Sequence, residues 1–153
     1  MPIEIVTVPC LSDNYAYLLR DTATGEVALI DAPEATAIES ALAERGWKLG
    51  AILITHHHGD HVDGVDALRR AYGAKVVGAA ADAARLPPLD VEVRPGDTVA
   101  VGKSTAQVLD VPGHTVGHIA YYFPESGALF SADSLMVMGC GRLFEGSAEQ
   151  MWN

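Results

Sequence analysis

All six histidines of this 153-residue chain fall in two clusters: His56, His57, His58 and His61 in one, His114 and His118 in the other. The first cluster follows directly on Gly50-Ala51-Ile52-Leu53-Ile54-Thr55, a short run of the kind that fills a buried strand. In an extended chain, side chains at i, i+2 and i+4 point the same way. His56, His58 and Asp60 therefore share one side and His57 faces the other, while Gly59 eases the bend that brings His61 round. Imidazole and carboxylate together suit zinc or another borderline first-row ion. Packing alone gives no reason to crowd polar groups beside a buried strand. The second cluster, Pro112-Gly113-His114-Thr115-Val116-Gly117-His118, follows an expected strand over Ala106–Val111. Asp133 follows another over Ala128–Ser131. All three groups lie just past the C-terminal ends of apolar strands, the edge at which layered α/β sheets bind ligands. The fold must bring those three ends to one place.

The rest of the pattern fits such a fold. Residues 3–8, 15–20 and 27–30 read as strands, with Thr24-Gly25 as a turn before the third. Pro33 suits a first helical turn; Ala35, Ile38, Ala41 and Leu42 then recur at helical spacing up to Gly46, a C-terminal cap. Val65, Leu68 and Tyr72 share one face of a second helix, closed by Gly73, and Lys75–Val77 follows as a strand. Residues 78–90, with Pro87-Pro88, read as an irregular surface connection. Pro95-Gly96-Asp97 marks a turn between Val91–Val93 and Thr98–Val101. The last third is β-rich, with His118–Phe123 and Ala128–Ser131 joined by a turn at Pro124–Gly127. Strand–helix alternation followed by strands predicts a layered α/β sandwich. Ser147-Ala148-Glu149-Gln150 fits a capping box, announcing a helix only six residues before Asn153. A helix that short is marginal by itself, so a longer parent protein is expected.

Composition excludes several partners. The chain carries 10 basic and 20 acidic residues, for a formal charge of −10, and has no basic stripe. A nucleic-acid backbone or an anionic membrane is not the expected partner. No apolar run is long enough to span a bilayer and the N-terminus lacks a signal-peptide pattern, so a cytoplasmic monomer is expected. Cys10 and Cys140 make no disulfide framework. Cys140 is expected to be a small buried residue and not a nucleophile.

His56-x-His58-x-Asp60-His61, then Pro112-Gly113-His114-Thr115-x-Gly117-His118, then an Asp after a strand, resembles the metallo-β-lactamase-fold hydrolases. Further blocks are similar to the hydroxyacylglutathione hydrolases, the glyoxalase II family. These are Pro9-Cys10-Leu11-x-Asp13-Asn14-Tyr15, Asp31-Ala32-Pro33 and Gly139-Cys140-Gly141-Arg142-Leu143-Phe144-Glu145-Gly146. The resemblance implies an αββα sandwich in which residues 1–153 form the catalytic domain, without the family's C-terminal helical substrate domain. It implies a binuclear site, expected to hold two Zn²⁺ ions, with Fe or Mn as other candidates. His56, His58 and His114 would hold the first metal, Asp60 and His61 the second, and Asp133 would bridge them. Asp60 and Asp133 would be the carboxylates that act in catalysis. Arg142 and Phe144 match positions near the thiol substrate, and His57 and His118 belong to the motif without being ligands.

The activity this implies is hydrolysis of a glutathione thioester such as S-lactoylglutathione. A thiol with a pKa near ~8.5 can leave as thiolate without a general acid. In the similar persulfide dioxygenases, which use one iron, the stretch after Gly-Cys-Gly-Arg reads Thr-Asp-Phe-Gln. Leu143-Phe144-Glu145-Gly146 here favours the hydrolase. A β-lactamase would want a signal sequence. In the hydrolase family a further histidine ligand and the glutathione-binding helices lie beyond the position matched by Asn153, so an inactive metal-binding remnant is the remaining alternative.

Overall fold

A computed structural model describes residues 2–136 and 138–153. β1 (Ile3–Cys10) and β2 (Asn14–Asp21) pair antiparallel, and β3 (Val27–Ile30) continues antiparallel on β2. The chain then leaves through α1 (Ala35–Arg45) to β4 (Leu49–Leu53), parallel to β3. A short α2 (Gly59–Val62) and α3 (Val65–Tyr72) lead to β5 (Lys75–Ala79), and β6 (Val91–Val93) closes a six-stranded sheet in chain order. The second sheet is antiparallel, built of β7 (Thr98–Val101), β8 (Ser104–Asp110), β9 (Ile119–Phe123) and β10 (Ala128–Phe130) in the order β10-β9-β8-β7. A five-residue α4 (Ala148–Trp152) follows Ser147, whose side chain and that of Gln150 complete the expected capping box. Among the described residues no helix is long and apolar enough to cross a membrane.

The unbroken apolar character of β3–β5 has a simple cause: both faces of the sheet are covered. Leu18, Leu29, Ile52 and Val76 face the helices, where Ile38, Leu42 and Leu68 meet them. Their neighbours Leu19, Ile30, Leu53 and Val77 face the second sheet, against Val108, Tyr121 and Phe123. Each such Leu or Ile contributes about 1.5–3 kcal/mol by leaving water. Helix, sheet and sheet are thus stacked in three layers; Thr105, Gln107 and Leu109 on the outer side of the second sheet are exposed, and α4 lies elsewhere, with Met151 beside Gly113.

Two polar ties join the sheets. Asp21, 1% exposed, accepts the Ser104 hydroxyl at 2.7 Å, the Ser104 N–H at 3.0 Å and the Thr24 N–H at 2.8 Å. Near the other end of the strands, Ile54 N–H donates to Val77 O at 2.9 Å and Ile119 N–H to Thr55 O at 3.0 Å, so the chain bridges both sheets just before the histidines.

Several sequence expectations shift by a few residues, each for a visible reason. β4 ends at Leu53, because Thr55 turns its carbonyl to the other sheet. β9 begins at Ile119, leaving His118 in the loop. Pro33 stands before the cap Glu34 and outside α1, whose first residue is Ala35. Gly46 and Gly73 close α1 and α3 in the left-handed conformation that favours glycine. Gly78 and Ala79 are strand residues, paired with Glu92 and Val93. The Pro95-Gly96-Asp97 turn carries the chain from one sheet to the other, since β6 and β7 belong to different sheets.

Candidate metal centre

Three strand ends supply the site. The segment after β4 carries His56 and His58, and α2 then turns His61 inward and leaves Asp60 exposed beside it. The loop after β8 carries His114, and the turn after β10 carries Asp133. The extended alternation expected for His56, His58 and Asp60 therefore holds only as far as His58; Asp60 lies on the helical turn. Ligand atoms of His56, His58 and His114 lie within 4.8 Å of one another, and so do those of Asp60, His61 and Asp133. The same holds for Asp31, His56 and His61.

Asp133 stands at the meeting point. Its Oδ2 lies 3.1 Å from His61 Nε2, 3.2 Å from His114 Nε2 and 3.5 Å from His56 Nε2. The partners on the far side of each ring decide what those nitrogens can be. Thr55 Oγ donates to the Asp31 carboxylate at 2.7 Å, so it accepts from His56 Nδ1 at 2.9 Å. Asp31 Oδ2 accepts His61 Nδ1–H at 2.9 Å, and the Arg142 carbonyl accepts His114 Nδ1–H at 2.6 Å. In the neutral form of each ring, Nε2 then carries a lone pair beside an anionic oxygen. Only cations, either protons or metal ions, reconcile that arrangement. The buried Nε2 atoms of His56 and His61 have no hydrogen-bond partner, and His58 Nδ1 approaches His114 Nε2 to 3.0 Å. The donor set fits divalent ions of the borderline kind.

The proton distribution agrees. Burial opposes charge on His61, but the Asp133 and Asp31 carboxylates beside its two nitrogens outweigh it and push the ring up to about 10. Burial likewise works against the Asp133 anion, yet His56 and His61 hold the carboxyl well below the usual range. Burial, then His56, pushes His58 down, and the same two causes take His118 down to about 3. His118 stacks on His56 with ring centres 4.4 Å apart and gives its Nδ1 to the Ile119 carbonyl, a neutral support beneath the ligand ring.

Arg142 and Phe144 form one rim. The Phe144 ring stands edge-on to His58 and His114 at 5.3 Å from each, with the Arg142 guanidinium 5.2 Å from its centre. On the other side a cleft of about 530 Å³, lined by Tyr15, Tyr17, Leu135 and Met136, opens onto His61 and Asp133. Cys140 is a correction: the thiol is exposed, because the segment around it runs along the surface. Cys10, by contrast, is buried, and burial pushes its thiol up.

Asp31, Thr55 and Asn14, outside the expected set of site residues, also belong to the site. Asn14 Nδ2 donates to Asp60 Oδ2 at 3.0 Å and holds the more exposed carboxylate in place. Asp31 had a usable signal, being the first polar residue past the C-terminal end of an apolar strand. Its left-handed backbone, φ 56°, is a strained conformation of the sort found where surrounding groups over-determine a position. Ala132, beside Asp133, is similar at φ 44°.

A hydroxyacylglutathione hydrolase of Cereibacter sphaeroides is 65% identical over 152 residues, covering 99% of this chain and 60% of the relative. The chain thus spans 60% of the length of that curated relative. Among solved structures, the BLEG-1 B3 metallo-beta-lactamase superposes with a TM-score of 0.86 at 26% identity, covering 97% of this chain and 81% of its own. TTHA1623, solved in a di-iron-bound form, gives 0.78 at 31% identity over 97% and 82%. The model of the metallo-beta-lactamase superfamily matches residues 12–152. With its histidine loops, strand-end aspartates and paired sheets, the chain belongs to the metallo-beta-lactamase superfamily.

Proposed function

We propose that this chain is the metal-bearing portion of a hydrolase that cleaves S-2-hydroxyacylglutathione, such as S-lactoylglutathione, to glutathione and a 2-hydroxy acid. The observation that carries this reading is the single Asp133 oxygen set among three imidazole nitrogens at 3.1–3.5 Å. His56, His58 and His114 would hold one ion, Asp60 and His61 a second, and Asp133 would bridge them. Zinc is the proposed metal, two ions per chain. A superfamily member of the same fold is solved with two irons, which supports a binuclear reading. The 65% identical relative carries the hydrolase name, which supports the substrate class.

When bound, such ions lower the pKa of a water toward neutrality and stabilise charge developing on a carbonyl oxygen. The chain's own groups do the rest. Asp31, Thr55 and the Arg142 carbonyl fix the ring orientations, so the three Nε2 atoms already face the cradle in which an ion would take the place of a proton. Asn14 keeps Asp60 turned toward His61, whose Nε2 lies 3.6 Å from Asp60 Oδ2. Phe144 shields one side of the cradle, and the Arg142 guanidinium places positive charge beside it for an anionic substrate. The thiol leaves as thiolate, so no general acid is required of the site. The reading includes a monomer in the cytoplasm, acting on a small molecule and not on nucleic acid or membrane. The charge of −10 without a basic face supports that last part.

The test is hydrolysis of S-lactoylglutathione by metal-loaded protein and by the same protein after chelation. Turnover that follows metal content is expected. A metal-loaded, folded full-length protein that leaves the thioester intact contradicts the reading.

A further inference from the structure

His57 is the one histidine of the first cluster that turns away from Asp133, and it meets a second polar cluster. Its Nε2 lies 3.3 Å from Glu145 Oε1 and its Nδ1 3.8 Å from Asp82 Oδ2. Arg85 bridges the same two carboxylates: Nη2 reaches Asp82 Oδ1 at 2.6 Å and Glu145 Oε2 at 3.1 Å, while Nη1 holds Glu145 Oε1. Asp82 is 4% exposed and pressed against Gly117, where a Cβ would come within 2.2 Å of its Oδ2. Glu145 also accepts the Val116 N–H at 3.0 Å.

The guanidinium therefore fastens the turn after β5 to the segment that carries Arg142 and Phe144, and the two carboxylates it holds meet the loop that carries His114 at Val116 and Gly117. Backbone bonds lay that last segment along the loop, with Gly141 N–H on Asp133 O at 2.6 Å and Gly146 N–H on Gly113 O at 3.0 Å. Phe144 lies between those two contacts and next to Glu145. Its neighbour's carboxylate is the point at which the rim is tied, through Arg85, to the other sheet. A forked guanidinium suits this task because it can hold two carboxylates in fixed geometry at once.

Resting on the thioester-hydrolase reading above, we propose that Arg85 and Glu145 are positioning residues that set the Arg142–Phe144 rim over the ion cradle and thereby govern KM for the glutathione thioester. Neither touches the reacting atoms. The Glu145 carboxyl is held down at about 2, first by its bond from Arg85, so the tie stays charged through the neutral range.

The experiment compares Arg85→Ala, Glu145→Gln and the double variant in metal-loaded protein. Either single change is expected to raise KM about tenfold while kcat stays within about twofold and ion content is unchanged. The double variant is expected to be no worse than Arg85→Ala, since both remove one interaction. Arg85→Lys restores only part, because an ammonium cannot fork between two carboxylates. Amide hydrogen exchange across 141–146, a readout independent of turnover, is expected to speed up in both single variants. Unchanged KM in an active protein overturns the proposal, as does unchanged exchange. A joint fall of kcat, KM effect and ion content also overturns it, because the residues would then be structural only. If the parent protein hydrolyses no glutathione thioester and exchange still speeds up, the hydrolase reading falls while the tie on the rim stands.

Discussion

The histidine loops and the rim segment border the same space but are held in different ways. His56, His61 and His114 are each fixed through the far nitrogen by a hydrogen-bond acceptor, and all three rings are buried. Segment 138–146 leaves Met138 fully exposed and Phe144 58% exposed, and is fastened by backbone bonds and one carboxylate. The ion cradle is therefore set by the packing of two sheets, whereas the rim is set by a few polar contacts that can be altered one at a time. Changes in the first region should strike ion binding and stability together; side-chain changes in the second that leave its backbone contacts to Asp133 and His114 in place should strike substrate binding alone.

The largest effect that separates the two is expected from Asp31→Ala. The His61 ring loses its acceptor and Thr55 loses partners at 2.7 and 2.8 Å, all buried. Ion affinity should fall about 10–100-fold and the fold should lose about 1–3 kcal/mol. Competition with a chelator and urea unfolding measure the two. Gly141→Ala comes next, since a Cβ there would sit 2.3 Å from Asp133 O and 2.8 Å from His114 Nδ1. A cost of about 1–3 kcal/mol and displaced ligands are expected, seen as reduced ion content at unchanged secondary structure.

Acid stability probes the tie between the sheets, remote from the ions. The Ser104 hydroxyl first, opposed by burial and aided by Thr24, holds the Asp21 carboxyl well below the usual carboxylate range. A lowered pKa stabilises the fold fully above the unfolded value of about 3.9, and that contribution is lost as pH falls through the folded value. Asp21→Asn should thus be less stable than the parent at pH 7, with the gap closing at pH below about 4. Urea midpoints measured against pH give the comparison. The smallest effect is expected from Phe144→Ala: a KM rise of a few-fold, about 1 kcal/mol, with stability and ion content unchanged. If ion content fell as well, the division between cradle and rim would be broken.

What could be read from the chain follows the same division. The six candidate residues could be singled out because they cluster just past strand ends, a local signal, while the extended-chain period holds only as far as His58. The fold was legible because β3–β5 are apolar on both faces and the two long helices end in glycines. Asp31 shares that strand-end position, but its role was not legible, since it lies in contacts to Thr55 and His61 that only the pairing of β3 with β4 brings near. Arg85 and Glu145 are 60 positions apart, so no spacing connects them. The turn at Pro95-Gly96-Asp97 reads the same whether it joins strands of one sheet or of two. Cys140 was misjudged because residue type favours burial, while the segment it sits on has no core beneath it.

The most direct measurement is ion content and S-lactoylglutathione turnover, taken together on the parent protein and on Asp133→Ala. About two divalent ions per chain and metal-dependent turnover are expected in the parent, with both ion content and activity lost when the Asp133 carboxylate is removed. An Asp133→Ala protein that keeps its ions and its full activity would contradict the binuclear reading.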